Sequence, residues 1–514
     1  MYAEVANIVT ALRLGFPLLA AALILPAQDI KEFEKKVTEF SLPNGLHFIL
    51  VERHDAPVVA FHTYVNAGSV DDPSGQSGMA HMFERLAFKG TETIGTRNWA
   101  DEKKALDAIE DLYDRLDAER NRGPKADQSR VETLQTQLKL AVDRAEYYVQ
   151  PNEYTRIVEE NGGIGLNASA GFDATEYFCS LPSNRIELWF LMESQRLQHP
   201  VFRQFYKERD VAMDEYRQQT DSRPQGKLIQ SLLATAFAAH PYRNPPGGWP
   251  SDIANLRRSG AKAFFEKYYV PGNMTMALVG DVNPAEAKRM AERYFGPMPA
   301  KPLPSILHTG EPPQPGPKMT MVDSPTQPMA MIAYKRPSQY DKDDPVFDML
   351  QLILSSGRTG MLYKEMVEDK RISQAAQAGA TFPNGRYPNL FVFFLAPSPG
   401  HTLDENQRAL DDLLARLKAK KVDAETLQRA RTQTRASVVR MLGGNSGLAK
   451  LLALHSASYG DWRKLFTAID DLNKVTADDV QRVAQTCFVA VNRTIAYTGL
   501  PNQTRQQPAK GGQQ

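Results

Sequence analysis

Cysteine is almost absent from this chain: among 514 residues there are only Cys179 and Cys487, far apart in sequence. A disulfide framework is therefore not expected, and both read as small buried hydrophobes. Charge of one sign is lacking too, since 61 Lys and Arg stand against 60 Asp and Glu, interspersed, for a net charge of +1. Nothing in that balance attracts nucleic acid or an anionic membrane surface. Long apolar runs are missing except at the N-terminus, where residues 14–25 (LGFPLLAAALIL) precede Pro26-Ala27-Gln28. The run is shorter than the roughly 20 residues of a membrane span. It matches the apolar centre and small-residue cleavage site of an export signal over residues 1–27. The expectation is a periplasmic protein with no stable membrane span in the mature chain.

What is present is an ordinary globular balance, 42% hydrophobic and 24% charged, enough for several packed domains. The runs 46–52 (LHFILVE) and 58–65 (VVAFHTYV) are β-branched and aromatic, and the polar connection between them suits a hairpin-like pair of strands. Loop chemistry at Asp71-Asp72-Pro73-Ser74-Gly75 follows, with Ser77 placed to cap the next helix. In 98–150, Leu106, Ile109, Tyr113 and Leu116 recur at heptad spacing. After a turn at Arg122-Gly123-Pro124-Lys125, Val131, Leu134, Leu138, Ala141 and Ala145 recur likewise, which predicts an antiparallel helical hairpin.

Residues 162–168 and 174–181 read as further strands, 202–220 as a helix, 273–280 as a buried strand and 284–295 as the helix after it. Six prolines in 300–317 mark a semi-rigid linker. Asn492-Arg493-Thr494, running to Gly499, copies the spacing of Asn273-Met274-Thr275 to Gly280, and each follows an amphipathic helix ending in an aromatic residue and Val. The fold class expected is α+β. It comprises two homologous domains, 36–299 and 318–500, each a mostly antiparallel sheet packed against helices, with the hairpin 98–150 inserted in the first. The tail 501–514 is polar and reads as disordered.

The chemistry concentrates in His81-Met82-Phe83-Glu84-Arg85. A helix carrying H-x-x-E-H sets two imidazoles one turn apart to bind Zn²⁺, with the glutamate as base for the metal-bound water. Here the second histidine is Arg85, whose guanidinium stays protonated and offers no lone pair. Further on, Glu208 and Glu215 are seven residues apart and share a helix face.

With His81, Glu84, the flank Leu86-Ala87-Phe88-Lys89-Gly90-Thr91, Asn167-Ala168, and Glu208-Arg209-Asp210-Val211 followed by Glu215, the chain resembles the insulinase, pitrilysin and mitochondrial processing peptidase family, above all its short bacterial members. The resemblance spans residues 36–499. It implies His81 as the first zinc ligand, Glu84 as the catalytic base, Glu215 as the glutamate ligand, Glu208 as a supporting acid and Asn167-Ala168 as part of a strand that binds extended peptide. Arg85 then stands at the third ligand position, and the metal is expected to be weak or absent. The separation from Arg85 to Glu215 also exceeds the family's usual one, most of the excess lying in 98–150. At the places where family members often carry a substrate-holding Arg and Tyr, this chain has Val367 and Gln374.

The reading favoured is a catalytically impaired, peptide-binding chamber subunit, pairing with itself or with an intact homologous subunit. One alternative is an active zinc endopeptidase with a rearranged site, using a residue such as His240 of Ala239-His240-Pro241-Tyr242. Another is a structural assembly subunit. If Arg85 replaces the metal as the cation, it must pair with Glu215, Glu84 or both.

Overall fold

The computed structural model describes residues 33–499 apart from Pro325, with the side chains of 435–441 also left aside. The apolar N-terminal run and the tail 501–514 lie outside the described residues. Six strands form one sheet: β1 (Val37–Ser41), β2 (His47–Glu52), β3 (Val58–Val65), β4 (Ile164–Ala170), β5 (Thr175–Pro182) and β6 (Met274–Gly280), in the order β1-β2-β6-β3-β5-β4. Five form another: β7 (Lys318–Asp323), β8 (Ala330–Arg336), β9 (Ser373–Phe382), β10 (Asn389–Pro397) and β11 (Arg493–Gly499), in the order β7-β11-β8-β10-β9. Among the described residues only β2–β6 and β7–β11 pair in parallel. The fold is α+β with two such sheets, each packed against helices.

β2 and β3 do not form a hairpin. β6 inserts between them, parallel to β2 and antiparallel to β3. Sequence adjacency favours direct pairing, but β6 is apolar apart from Thr275 and buried at all seven residues, so it takes the centre of the sheet. β11 sits in the same relation to β7 and β8. The paired motifs at Asn273 and Asn492 thus mark two strands with equivalent places in their sheets. Each follows a helix, Arg258–Tyr268 in one case and Ala477–Cys487 in the other. Cys179 and Cys487 are free and buried.

The helices that matter below are α1 (Met79–Leu86), α2 (Trp99–Arg120), α3 (Gln128–Glu146), α4 (Phe205–Tyr216), α5 (Pro224–Ala236) and α6 (Asn445–Tyr459). α2 and α3 are the two arms of the segment 98–150, and Leu106, Ile109, Tyr113 and Leu116 on one arm and Val131, Leu134 and Leu138 on the other are buried in the first core.

Each sheet buries one face under helices of its own half and the other under a helix of the opposite half. Leu448, Ala449, Leu452 and Ala453 of α6 cover Ile49, Val51, Ala277 and Val279 of the first sheet. Leu228, Leu232, Leu233 and Ala236 of α5 cover Val322, Met331, Ala333, Val392 and Ala496 of the second. Burying both faces is why β3 and β6 read as apolar runs broken only by His62, Thr63 and Thr275, without a regular polar alternation.

Polar groups fasten the halves as well. Arg386 donates to Asn66 Oδ1 and to the Asp173 carbonyl, and lies 3.6 Å from Asp71. Glu311, in the proline-rich stretch, accepts from three successive N–H groups, Ala238 (2.7 Å), Ala239 (2.9 Å) and His240 (3.0 Å), and from Lys335 (2.8 Å). Burial works against its charge, but these donors outweigh it and hold the carboxyl down at about 2 instead of 4.5. A carboxyl depressed on folding contributes stability that is complete above its unfolded value and is lost as pH falls through the folded one. Chemical denaturation at pH 6, 4 and 3 is therefore expected to show the wild type losing stability over this window and Glu311→Gln losing less of it. At pH 7 the variant is expected to be weaker by about 1–3 kcal/mol, the worth of charge-assisted hydrogen bonds. Equal acid slopes in both proteins would count against this role.

Candidate functional site

α1 begins after Gly78, whose φ of 93° is left-handed and whose missing Cβ would lie 2.6 Å from the Gly247 carbonyl oxygen. Ser77 does not cap this helix. Its hydroxyl donates to Asp252 (2.6 Å) and accepts from Trp249 N–H (2.9 Å). The cap is Asp72, which accepts from the N–H groups of Gly78 (2.7 Å) and Ala80 (2.8 Å). Its two oxygens satisfy orphan donors of the first turn, although burial pushes the carboxyl well above its usual range against the pull of those N–H groups.

Met79, Ala80, Met82, Phe83 and Leu86 bury one face of α1. His81, Glu84 and Arg85, at the i, i+3, i+4 spacing of the other face, point toward α4 and β4. His81 Nε2 lies 3.2 Å from Glu215 Oε2, and its Nδ1 lies 3.5 Å from Glu84 Oε2. Glu84 also accepts from the Ala170 N–H of β4 at 2.9 Å. Arg85 forks: Nη1 donates to Glu215 Oε1 at 2.5 Å and Nη2 to Glu208 Oε2 at 2.9 Å. Lys89 closes the row, its Nζ 2.6 Å from Glu208 Oε1.

Three carboxylates and three basic groups thus alternate in a line. Arg85 bonds Glu215 and Glu208, not Glu84, because Glu84 is already held by His81 and the β4 backbone. Glu208 becomes a partner because it sits two turns before Glu215 on the same face of α4. The side chain of Arg85 is 15% exposed and that of Glu208 10%, so the guanidinium compensates charges that burial would otherwise penalise.

The electrostatics follow from these contacts. Burial alone would lower the His81 pKa, but the hydrogen bonds and charges of Glu215 and Glu84 raise it to about 9. The two carboxylates thus favour the imidazolium, with Nε2 hydrogen-bonded to Glu215 and Nδ1 facing Glu84 at 3.5 Å. Glu84 lies below the usual carboxylate range: burial pushes it up, but His81 and the Ala170 N–H more than offset that. Glu215 is lowered as well, first by the bond from His81 and then, against some burial, by Arg85. The pairs hold one another charged.

This donor set does not fit a zinc ion. A protein zinc site takes at least three side chains with free lone pairs. Here Arg85 supplies none, and both oxygens of Glu215 already accept hydrogen bonds. Among the described residues no group of three or more His, Cys, Asp or Glu is arranged to hold a metal ion.

Asn167 and Ala168 lie on β4, which is the edge of its sheet. Asn167 is exposed and Ala168 buried, and the Asn167 side-chain oxygen accepts from the Ala168 N–H at 2.9 Å. Two residues further on, Ala170 joins this edge strand to Glu84. His240 is not brought to the cluster. It packs against Tyr242 and Tyr387 at centroid distances of 4.5 and 4.8 Å, and its Nδ1 accepts from Tyr242 N–H. Its Nε2 is buried without a partner and burial lowers its pKa to about 4. Val367 lies in a short helical turn at Tyr363–Asp369, and Gln374 is exposed on β9.

Sequence reasoning missed two residues of this region. Lys89 was legible as the position one turn after Arg85 and two after His81. Arg203 carried no sequence signal, yet it is 1% exposed and clamps Glu102 of α2 through two hydrogen bonds, one of them 2.9 Å. It also donates to the carbonyls of Lys89 (2.7 Å), Thr91 (2.9 Å) and Ile94 (3.1 Å), fixing the loop that leaves α1.

Comparison with known proteins gives the chain's relatives. The family model described as insulinase (peptidase family M16) matches residues 47–109, and the one described as peptidase M16 inactive domain matches 255–434. The zinc protease PqqE of Helicobacter pylori is 25% identical over 448 residues, covering 86% of this chain and 88% of that protein. The crystal structure of a protease from H. pylori superposes with a TM-score of 0.74 at 24% identity, over 90% of this chain and 99% of the other. The periplasmic protease PqqL of Escherichia coli superposes with a TM-score of 0.65 at 15% identity, over 91% of this chain but 48% of PqqL. With these matches, two sheets of one plan and a helix bearing His81 and Glu84 opposite Glu215, the chain belongs to the insulinase family, peptidase M16.

Proposed function

We propose that this chain is a peptide-binding subunit of the M16 type that holds no catalytic zinc and does not cleave peptides on its own. The observation that carries the reading is the forked bond of Arg85 to Glu215 and Glu208. A fixed cation at the third ligand position repels a divalent ion and meets the charge of Glu215, the carboxylate that would have held it. Glu84 and Glu208 are then vestiges of the base and supporting acid. Peptide is bound in extended form along the edge of β4, where main-chain groups are open to another strand, with Asn167 and Ala168 part of that edge.

The subunit pairs with an intact M16 homologue. In support, this chain matches about half of PqqL, so a unit of this size is one part of a longer peptidase in that relative. The apolar N-terminal run and the periplasmic setting of PqqL together favour export. No helix among the described residues is long and apolar enough to cross a membrane.

The test is metal analysis of the purified protein together with hydrolysis of an unstructured peptide such as casein fragments. Less than stoichiometric zinc and no chelator-sensitive cleavage are expected, with peptide binding measurable by fluorescence anisotropy. Tightly bound equimolar zinc, with cleavage abolished by Glu84→Gln, would restore the active-enzyme reading. Absence of peptide binding even with an M16 partner present would leave a structural subunit.

A further inference from the structure

The two sheets follow one plan, but the second is a strand short. In the first sheet β1 lies antiparallel against the outer side of β2. β7 is the equivalent of β2, and among the described residues no strand pairs with its outer side. This open edge carries two exposed apolar side chains, Met319 at 63% and Met321 at 37%. They stand in register with Ile495 and Tyr497 of β11, on the face where the second half's own helices build its core. The apolar face therefore continues past the helices and ends in solvent, which soluble proteins avoid at a strand edge.

The stretch before β7 and the one after β11 are poor material to fill the gap. β1 is supplied by the segment just before β2, but the stretch before β7 holds six prolines in 300–317 and forms no strand, and proline cannot donate to a ladder. Residues 500–514 (LPNQTRQQPAKGGQQ) carry two Pro and two Gly with Asn, Ala and Lys, which suit strands badly.

β7 itself fits. Two copies related by a twofold axis perpendicular to the sheet must pair antiparallel, with residue numbers summing to an even value so that each face is preserved. Centring on Thr320 sets Met319 against Met321 of the other copy in both directions and Thr320 against itself. The next register, centred on Met321, would set Met319 against Asp323. Apolar cross-strand pairs stabilise and an apolar–carboxylate pair does not, so the Thr320 register is favoured.

We infer that the outer edge of β7 is a self-association surface, on which a second copy of this chain docks antiparallel about Thr320 and joins the two five-stranded sheets into one. This surface is separate from the Arg85 cluster, and the inference does not rest on the function proposed above.

Thr320→Cys tests it in the full chain under mild oxidation, since the two native cysteines are buried. Residues directly opposed in antiparallel strands have Cα atoms about 4.5–5.5 Å apart, within the roughly 4.4–6.8 Å that a disulfide spans. A disulfide-linked dimer is expected from Thr320→Cys and none from Lys318→Cys, whose partner in this register is Val322. Light scattering is expected to show a concentration-dependent dimer that Met319→Lys with Met321→Lys abolishes while circular dichroism stays unchanged. A monomer at every concentration with no crosslink from Thr320→Cys would overturn the inference. So would equal crosslinking of both cysteine variants. A thiol introduced by Thr320→Cys that reacts with maleimide only after residues 500–514 are removed would overturn it too, because the chain's own tail would then occupy the edge.

Discussion

Arg85→His is expected to convert the cluster into a metal site that binds about one zinc per chain, with an apparent binding free energy on the order of 10 kcal/mol at pH 7. The backbone of α1 already sets residues 81 and 85 one turn apart on the exposed face, and Glu215 already lies against both side chains. Removing the guanidinium takes away a fixed positive charge, adds a lone pair and frees one oxygen of Glu215. Glu208 and Lys89 keep each other neutral at 2.6 Å, so they need not follow the change. Metal binding in turn requires His81 to lose the proton that Glu84 and Glu215 now stabilise, so zinc uptake by the variant is expected to rise with pH. Titration of the apoprotein with zinc against a competing chelator measures both effects. A variant that folds but takes up no more zinc than wild type would mean that the side chains around residue 85 no longer leave room for an ion.

Arg203→Met is expected to destabilise the protein by about 3–5 kcal/mol, the cost of breaking a buried pair by removing one partner. Glu102 is 0% exposed and would be left buried without its partner, and three carbonyls of the loop after α1 would lose their donor. Glu102→Gln with Arg203→Met is expected to cost less than Arg203→Met alone, because the stranded carboxyl is then gone. Urea unfolding of the wild type and both variants decides this. If Arg203→Met costs no more than the double variant, the pair does not act as a unit. The effect also bears on the cluster, since Lys89, which neutralises Glu208, sits on the loop that Arg203 holds.

How much could be read in advance differs by residue. The cluster was legible because helix periodicity fixes which side chains of 81–85 and 208–215 share a face, and because arginine's chemistry at position 85 admits few partners. Its choice of Glu208 over Glu84 was not, since that depends on the Ala170 N–H of an edge strand reaching Glu84 first. β6 and β11 were legible as strands of one repeated kind from their spacing and apolar runs. Their insertion between neighbours was not, because local pattern does not encode strand order. Ser77 and Asp72 are both good capping residues, and only the turn at Gly78 decides which carboxylate or hydroxyl lies over the helix end. Arg203 gave no sign, as a lone arginine in the first turn of the helix read at 202–220 is most often solvated.

The exchange of helices between the halves has a consequence for the order in which the nascent chain can complete its structure. Ile49 and Val51 receive their cover from Leu448 and Leu452, about 400 residues later in synthesis. At ~5–20 residues per second, the apolar back of the first sheet waits roughly 20–80 s for its lid to leave the ribosome. The second sheet has the opposite history, because α5 is made before the strands it covers. The N-terminal half is thus the late finisher despite being made first, and during that interval it presents bare β-sheet to any chaperone, translocase or neighbouring chain.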